Sequence, residues 1–106
     1  MSITPIPKRI REARGIIGIS QRQLGVNIGL ELTVASSRMN QYEQGKRVPD
    51  FGSLELIAEA LDVPVAYFFC KDDKMAELVK LFDHLSEEDK EALLAKLKVQ
   101  LPDLKK

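Results

Sequence analysis

The sequence predicts an all-α fold, and three observations carry that prediction. Apolar residues recur at helical spacing in one segment after another; Leu54, Ile57, Ala58 and Leu61 form a clear i, i+3, i+4, i+7 set. The segments are punctuated by helix signals, with Ser20, Thr33, Ser53 and Ser86 as N-caps and Gly29 and Gly45 as terminators. No run carries the signal of a strand. Hydrophobic residues make up 44% of the 106, which supports a modest core and argues against wholesale disorder.

Ser2 to Ile6 read as a frayed arm, and Pro7 suits the first position of a helix, where its missing N–H costs nothing. The first helix is expected over residues 8–17, with Ile10, Ala13 and Ile17 inward and Arg9, Arg11 and Glu12 outward. Arg14 lies near the inward edge and needs a partner, because a buried unpaired charge is costly. Ser20 caps a second helix over residues 21–28 carrying Leu24 and Ile28, and Gly29 ends it. Thr33 caps a third helix over residues 33–44, with Ala35, Met39 and Tyr42 inward and Gly45 at its close. Lys46 and Arg47 follow, just before Pro49.

Ser53 then caps a fourth helix over residues 54–61, which Asp62-Val63-Pro64 breaks. Pro64 starts a short fifth helix, VAYFF, whose aromatic rings are expected to plug the core. Beyond Cys70 two amphipathic helices are expected. Met75, Leu78, Val79, Phe82 and Leu85 form one stripe; Leu93, Leu94, Leu97 and Leu101 form the other, behind a Ser86–Asp89 capping box. Acidic residues crowd the start of the second tail helix and Lys96 and Lys98 its end, which complements the helix dipole. Pro102 ends it, and Leu104 to Lys106 are expected to fray.

The stretch from Ser20 to Pro49, with its flanks, resembles the Cro/repressor-type, or XRE-type, helix-turn-helix regulators. The matching residues are Arg14, Ser20-Gln21 with Leu24, Tyr42 to Arg47 with Pro49, and then Leu54, Ile57, Ala58, Leu61, Val63, Tyr67 and Phe68. The resemblance covers roughly residues 6–69 and rests on the ordered set of motifs. It implies a five-helix, lambda-repressor-like DNA-binding domain over residues 1–70, followed by a helical extension over residues 71–106. One departure stands out. Family members have a shorter turn between the two helices, and this chain carries about four extra residues near Glu31 to Val34.

The resemblance also implies a function: a sequence-specific DNA-binding regulator of transcription, acting as a repressor. The second helix of such a pair enters the major groove and reads base edges with its N-terminal side chains. The face opposite Ala35, Met39 and Tyr42 is expected to offer Ser36, Ser37, Arg38, Asn40 and Gln41; Ser36, Ser37 and Gln41 align with the family's base-reading positions. Arg38 suits guanine and Gln41 adenine. Phosphate contacts are expected from Gln21 at the start of the second helix, from Gln44, Lys46 and Arg47 at the end of the third, and from Arg22. The resemblance assigns Glu43 as the partner of Arg14, in a structural ion pair; the alternative for Arg14 is a phosphate.

Charge is divided unevenly. Residues 1–50 hold eight basic and four acidic side chains, a net of +4, and residues 51–106 hold eight lysines and twelve acids, a net of −4. Such a split suits a nucleic-acid surface joined to a self-associating tail. With only four or five cations, one copy binds DNA weakly; a homodimer through residues 71–106 doubles the phosphate contacts on a two-fold symmetric operator. The tail helices otherwise fold back on the domain, or hold a protein effector.

Other function classes are less well supported. The only histidine, His84, has no serine or cysteine placed to form a triad, no His/Cys cluster has metal-ligand spacing, and no glycine-rich phosphate loop occurs. No enzyme activity, metal or cofactor is therefore expected. Cys70, the single cysteine, fits a reducing compartment and reads as packing more than as a redox sensor. There is no apolar run of membrane-spanning length and no signal-like start, so a cytoplasmic, nucleoid-associated protein of a prokaryote or phage is expected. The competing reading is a protein-binding module on the same fold, such as an antitoxin or an anti-repressor partner.

Overall fold

A computed structural model describes residues 4–104 of the chain. Six α-helices and one short 3₁₀ helix follow one another: α1 (Ile6–Ile17), α2 (Gln21–Asn27), α3 (Leu32–Glu43), α4 (Phe51–Leu61), the 3₁₀ helix (Val65–Phe69), α5 (Asp73–Asp83) and α6 (Glu87–Gln100). The fold is all-α, with no strand among the described residues. Of the two ends expected to fray, Ser2, Ile3, Lys105 and Lys106 lie outside those residues.

Ile6 belongs to the body, not to an arm: it opens α1 and is buried. Pro7 occupies the second helical position, where the N–H is still without an intrahelical acceptor. Two expectations for α1 are reversed. Ile17 is 46% exposed, because the helix ends there and overhangs the core, whereas Arg9 is only 1% exposed. Arg9 shares the face of Ile6, Ile10 and Ala13 and looks onto the start of α5. There its guanidinium donates to the backbone oxygens of Cys70 (2.8 Å) and Lys71 (3.2 Å) and pairs with Glu12 (2.9 Å) and Asp73 (3.0 Å). The Tyr67 ring lies 5.9 Å from it, and the Tyr67 hydroxyl donates to Glu12 at 2.6 Å. Burial, then the bond to Glu12, raise the Tyr67 phenol well above its ordinary pKa, while the Tyr67 and Arg9 bonds hold the Glu12 carboxyl below its own.

Helices α2 and α3 form the closest pair in the molecule. Ser20 caps α2 by accepting from the Gln23 N–H (2.9 Å). A Cβ built on Gly25 would sit 2.7 Å from the Ala35 Cβ and 2.8 Å from the Ala35 backbone, so only glycine permits this approach. Both helices end in the same way. The N–H groups of Gly29 and Leu30 return to Val26 and Gly25, and those of Gly45 and Lys46 return to Tyr42 and Gln41. Each glycine takes the left-handed conformation this Schellman geometry requires, with φ of 97° and 75°.

The extra residues noted in the sequence do not lengthen the turn. Helix α2 stops at Asn27, Ile28 to Glu31 make a four-residue turn, and Leu32 to Val34 already belong to α3. The extended N-cap is Glu31, not Thr33, and its side chain makes no capping bond. The insertion therefore appears as added helix at the leading end of α3.

Helix α4 also starts early. Asp50 caps it by accepting from the Ser53 N–H (2.7 Å), so the expected cap at Ser53 is instead the donor. In the 3₁₀ helix Tyr67 and Phe68 are buried as expected, but Phe69 is 52% exposed. The core brings Ile10, Leu24, Met39, Ile57 and Phe68 together at complete burial.

Helix α5, capped by Asp72, rests on the 3₁₀ helix and buries Ala76. At its other end His84 reaches α4, its Nδ1 donating to the Lys80 carbonyl and its Nε2 lying 2.9 Å from Asp62 Oδ2. Helix α6, capped by Ser86, buries no residue fully. Leu93 and Leu97 half-cover themselves against Leu78, Val79 and Phe82 along a groove of about 370 Å³. Lys90 lies over the Phe82 ring at 5.6 Å. The Cα radius of gyration is 16.0 Å, against roughly 13 Å for a compact domain of this length, because α6 extends away from the body. No helix of the described residues is long and apolar enough to cross a membrane.

Candidate nucleic-acid interface

Helix α3 is positioned from inside. Ala35, Met39 and Tyr42 are buried, and the helix is clamped near its C-terminus by Arg14 and Glu43. Arg14 Nε lies 2.6 Å from Glu43 Oε2 and Nη2 lies 3.1 Å from Oε1, a two-point pair. The Glu43 side chain is 3% exposed, so its charge is tolerable only with such a partner. The bond to Glu43, outweighing burial, raises the Arg14 pKa above its usual value. Arg14 Nη1 also donates to the Ile19 carbonyl (2.9 Å), joining α1 to the entrance of α2.

Gln21, itself half-buried, joins this cluster. Its side-chain nitrogen donates to Glu43 Oε1 at 3.1 Å and Asn40 Oδ1 at 3.3 Å, which uses both of its hydrogens. In this arrangement the Gln21 side chain braces α2 against α3. Sequence alone does not reveal this, because a residue that opens a helix reads as solvent-facing until the neighbouring helix is placed.

The outward side of α3 is polar and uncovered. Thr33, Ser36, Ser37 and Gln44 are exposed, and Arg38, Asn40 and Gln41 are half-buried along its flanks. The tail lies on the 3₁₀ helix and α1, away from this side. The Ser37 hydroxyl donates to the Val34 carbonyl (3.2 Å), so it faces a ligand as an acceptor only. Gln41 Oε1 accepts from Arg47 Nε (3.2 Å), which ties the carboxamide to the turn after α3 and leaves its NH₂ free to donate.

Cations gather at the exit of α3. Lys46 and Arg47 are exposed there, held by the Gly45 turn, and Gln44 caps the helix. Arg11, which the sequence left without a role, donates to the Glu43 carbonyl (2.9 Å) and adds a third positive group. It lies three residues before Arg14, so one helical turn brings it to the same helix end, a signal that was available in the spacing. Arg22 is exposed on α2 and has no ion pair among the described residues. No group of His, Cys, Asp and Glu able to hold a metal occurs among the described residues.

Comparison with known proteins agrees with this geometry. The crystal structure of the transcriptional regulator BswR superposes with a TM-score of 0.83 at 38% identity, covering 88% of this chain and 92% of that one. Uncharacterized HTH-type transcriptional regulators of Sinorhizobium medicae and Rhizobium meliloti are each 33% identical over 64 residues, 60% of this chain. Those residues span 43% of the relatives' own length, so the chain matches less than half of each. Residues 10–68, from the middle of α1 to the buried Phe68, match the helix-turn-helix family, and the chain belongs to it.

Proposed function

We propose that the chain is a sequence-specific DNA-binding regulator of transcription, a repressor, that inserts α3 into the major groove. Residues 1–70 form the DNA-binding unit and residues 71–106 the extension through which two copies pair. The observation that carries this reading is the free polar side of α3, from Thr33 to Gln44, with Lys46, Arg47 and Arg11 gathered at its exit. Ser36, Ser37, Arg38 and Gln41 read base edges; Arg22, Gln44, Lys46 and Arg47 hold phosphates. Arg14 and Glu43 do neither, and instead fix the angle of α3.

Pairing through the tail is supported by its unused apolar surface. Met75, Leu78, Leu81, Leu94 and Leu101 are between 44% and 55% exposed, more than isolated surface hydrophobics usually contribute to one small segment. Two copies place two α3 helices on half-sites about 34 Å apart.

The test is selection of duplexes from a random pool, followed by binding titrations over a range of salt. Enrichment of a two-fold symmetric site is expected. Lys46→Ala then lowers affinity uniformly and reduces the salt slope by about one, whereas Arg38→Ala relaxes the preference at one position by about 1–3 kcal/mol. Absence of any enriched duplex, with α3 variants instead abolishing capture of a protein partner, favours the protein-binding module.

A further inference from the structure

Base contacts in a helix-turn-helix come from the N-terminal side chains of the second helix. In this chain that leading turn is Leu32, Thr33, Val34 and Ala35, three of which fall in the inserted stretch from Glu31 to Val34. Ala35 is fully buried against Gly25. Leu32 precedes it by about one turn on the same side of the helix, but it overhangs the helix start and is 57% exposed. Thr33 and Val34 lie on the side opposite Ala35, Thr33 one turn before Ser37 and Val34 in the row of Ser37 and Gln41. Both are exposed, Val34 at 39%.

The chemistry of this turn differs from that of the turns behind it. It has no acidic or basic side chain, and its outward groups are a valine and the methyl and hydroxyl of a threonine. The exposed N-cap Glu31 precedes it, and Ser37, one turn on, has already given its hydrogen to the Val34 carbonyl. The leading end of α3 thus offers methyl groups to the groove floor, where thymine alone presents a C5-methyl. Resting on the DNA-binding reading above, we infer that Thr33 and Val34 are specificity-determining residues that select thymine by methyl–methyl contact. The inserted turn extends base readout by about one helical pitch, 5.4 Å, ahead of Ser36 and Ser37.

The probe is the duplex enriched from a random pool by the full chain, with each thymine replaced in turn by deoxyuridine, which removes only the C5-methyl. Binding is titrated for the unaltered chain, Val34→Ala and Thr33→Ser. One or two positions per half-site are expected where deoxyuridine weakens binding by about fourfold, the equivalent of roughly 0.8 kcal/mol for one buried methyl group. Val34→Ala or Thr33→Ser erases that penalty at its own position and leaves the others. Penalties that are absent throughout, or identical in all three proteins, overturn the inference while the DNA-binding reading stands. A pool from which nothing is enriched overturns both. Circular dichroism of the variants, which change exposed positions, verifies that the helices are intact.

Discussion

Residues 6–70 and the tail beyond them use the same sequence device, an apolar stripe at helical spacing, with opposite results. In the body the stripes of α1 to α4 close on one another, and Ile10, Leu24, Met39 and Ile57 lose all exposure. In the tail α5 buries only Ala76, and α6 buries nothing. The pattern in a helix says that a face must be covered, but not by what. The body supplies its own cover; the tail shows a face still to be covered, which is the physical basis for expecting a second copy there.

The sharpest way to break this contrast is to disturb the charges that hold the body together. Arg14→Ala leaves the Glu43 carboxylate buried without its partner and is expected to cost about 3–5 kcal/mol in urea unfolding. A chain ending after Cys70 is expected to lose less, about 1–3 kcal/mol, since Arg9 loses Asp73 and the Lys71 carbonyl together with the cover of α5 but keeps Glu12. Ending the chain after Leu85 preserves those partners, leaves body stability within about 1 kcal/mol, and weakens self-association in sedimentation, since Leu94 and Leu101 are gone while Met75, Leu78 and Leu81 remain. A chain ending after Cys70 that stays dimeric would remove the tail's proposed role.

Leucines in the two regions should differ next. Leu24→Ala is expected to cost about 2–5 kcal/mol, and Leu94→Ala within about 0.5 kcal/mol for the single copy, with its effect appearing as weaker association. Gly25→Ala drives a methyl into Ala35 and is expected to cost about 1–3 kcal/mol, with a loss of DNA affinity as α3 tilts.

The smallest effect is on pH. His84 links α5 to α4, and its pKa is raised above 6.5, first by its bond to the Lys80 carbonyl and then by Asp62. A raised pKa means that this contribution is present in full below pH 6.5 and is lost as pH climbs through the higher folded value. The melting difference between the unaltered chain and Asp62→Asn should therefore narrow between about pH 6 and pH 8. A difference that widens would contradict the contact.

Much of the helical body was legible in the sequence, because its periods, glycine terminators and the Ser20 cap each act within a few residues. The inward set Ala35, Met39 and Tyr42 followed from spacing alone. Arg9 did not: charged residues default to the surface, and its acceptors at Cys70, Lys71 and Asp73 lie more than sixty residues away. The bonds of Gln21 to Asn40 and Glu43 were hidden for the same reason. The inserted residues were seen, but whether they lengthen a turn or a helix depends on the packing of Ala35 against Gly25, a contact between helices.

The most direct test of the central claim is a titration of the enriched duplex with the full chain and with Gln41→Ala, repeated at several salt concentrations. The expected result is a loss of about tenfold, the equivalent of roughly 1.4 kcal/mol, with an unchanged salt slope, as befits a base contact and not a phosphate contact. Equal affinity for the two proteins at every salt concentration would contradict a groove-reading role for the outer side of α3.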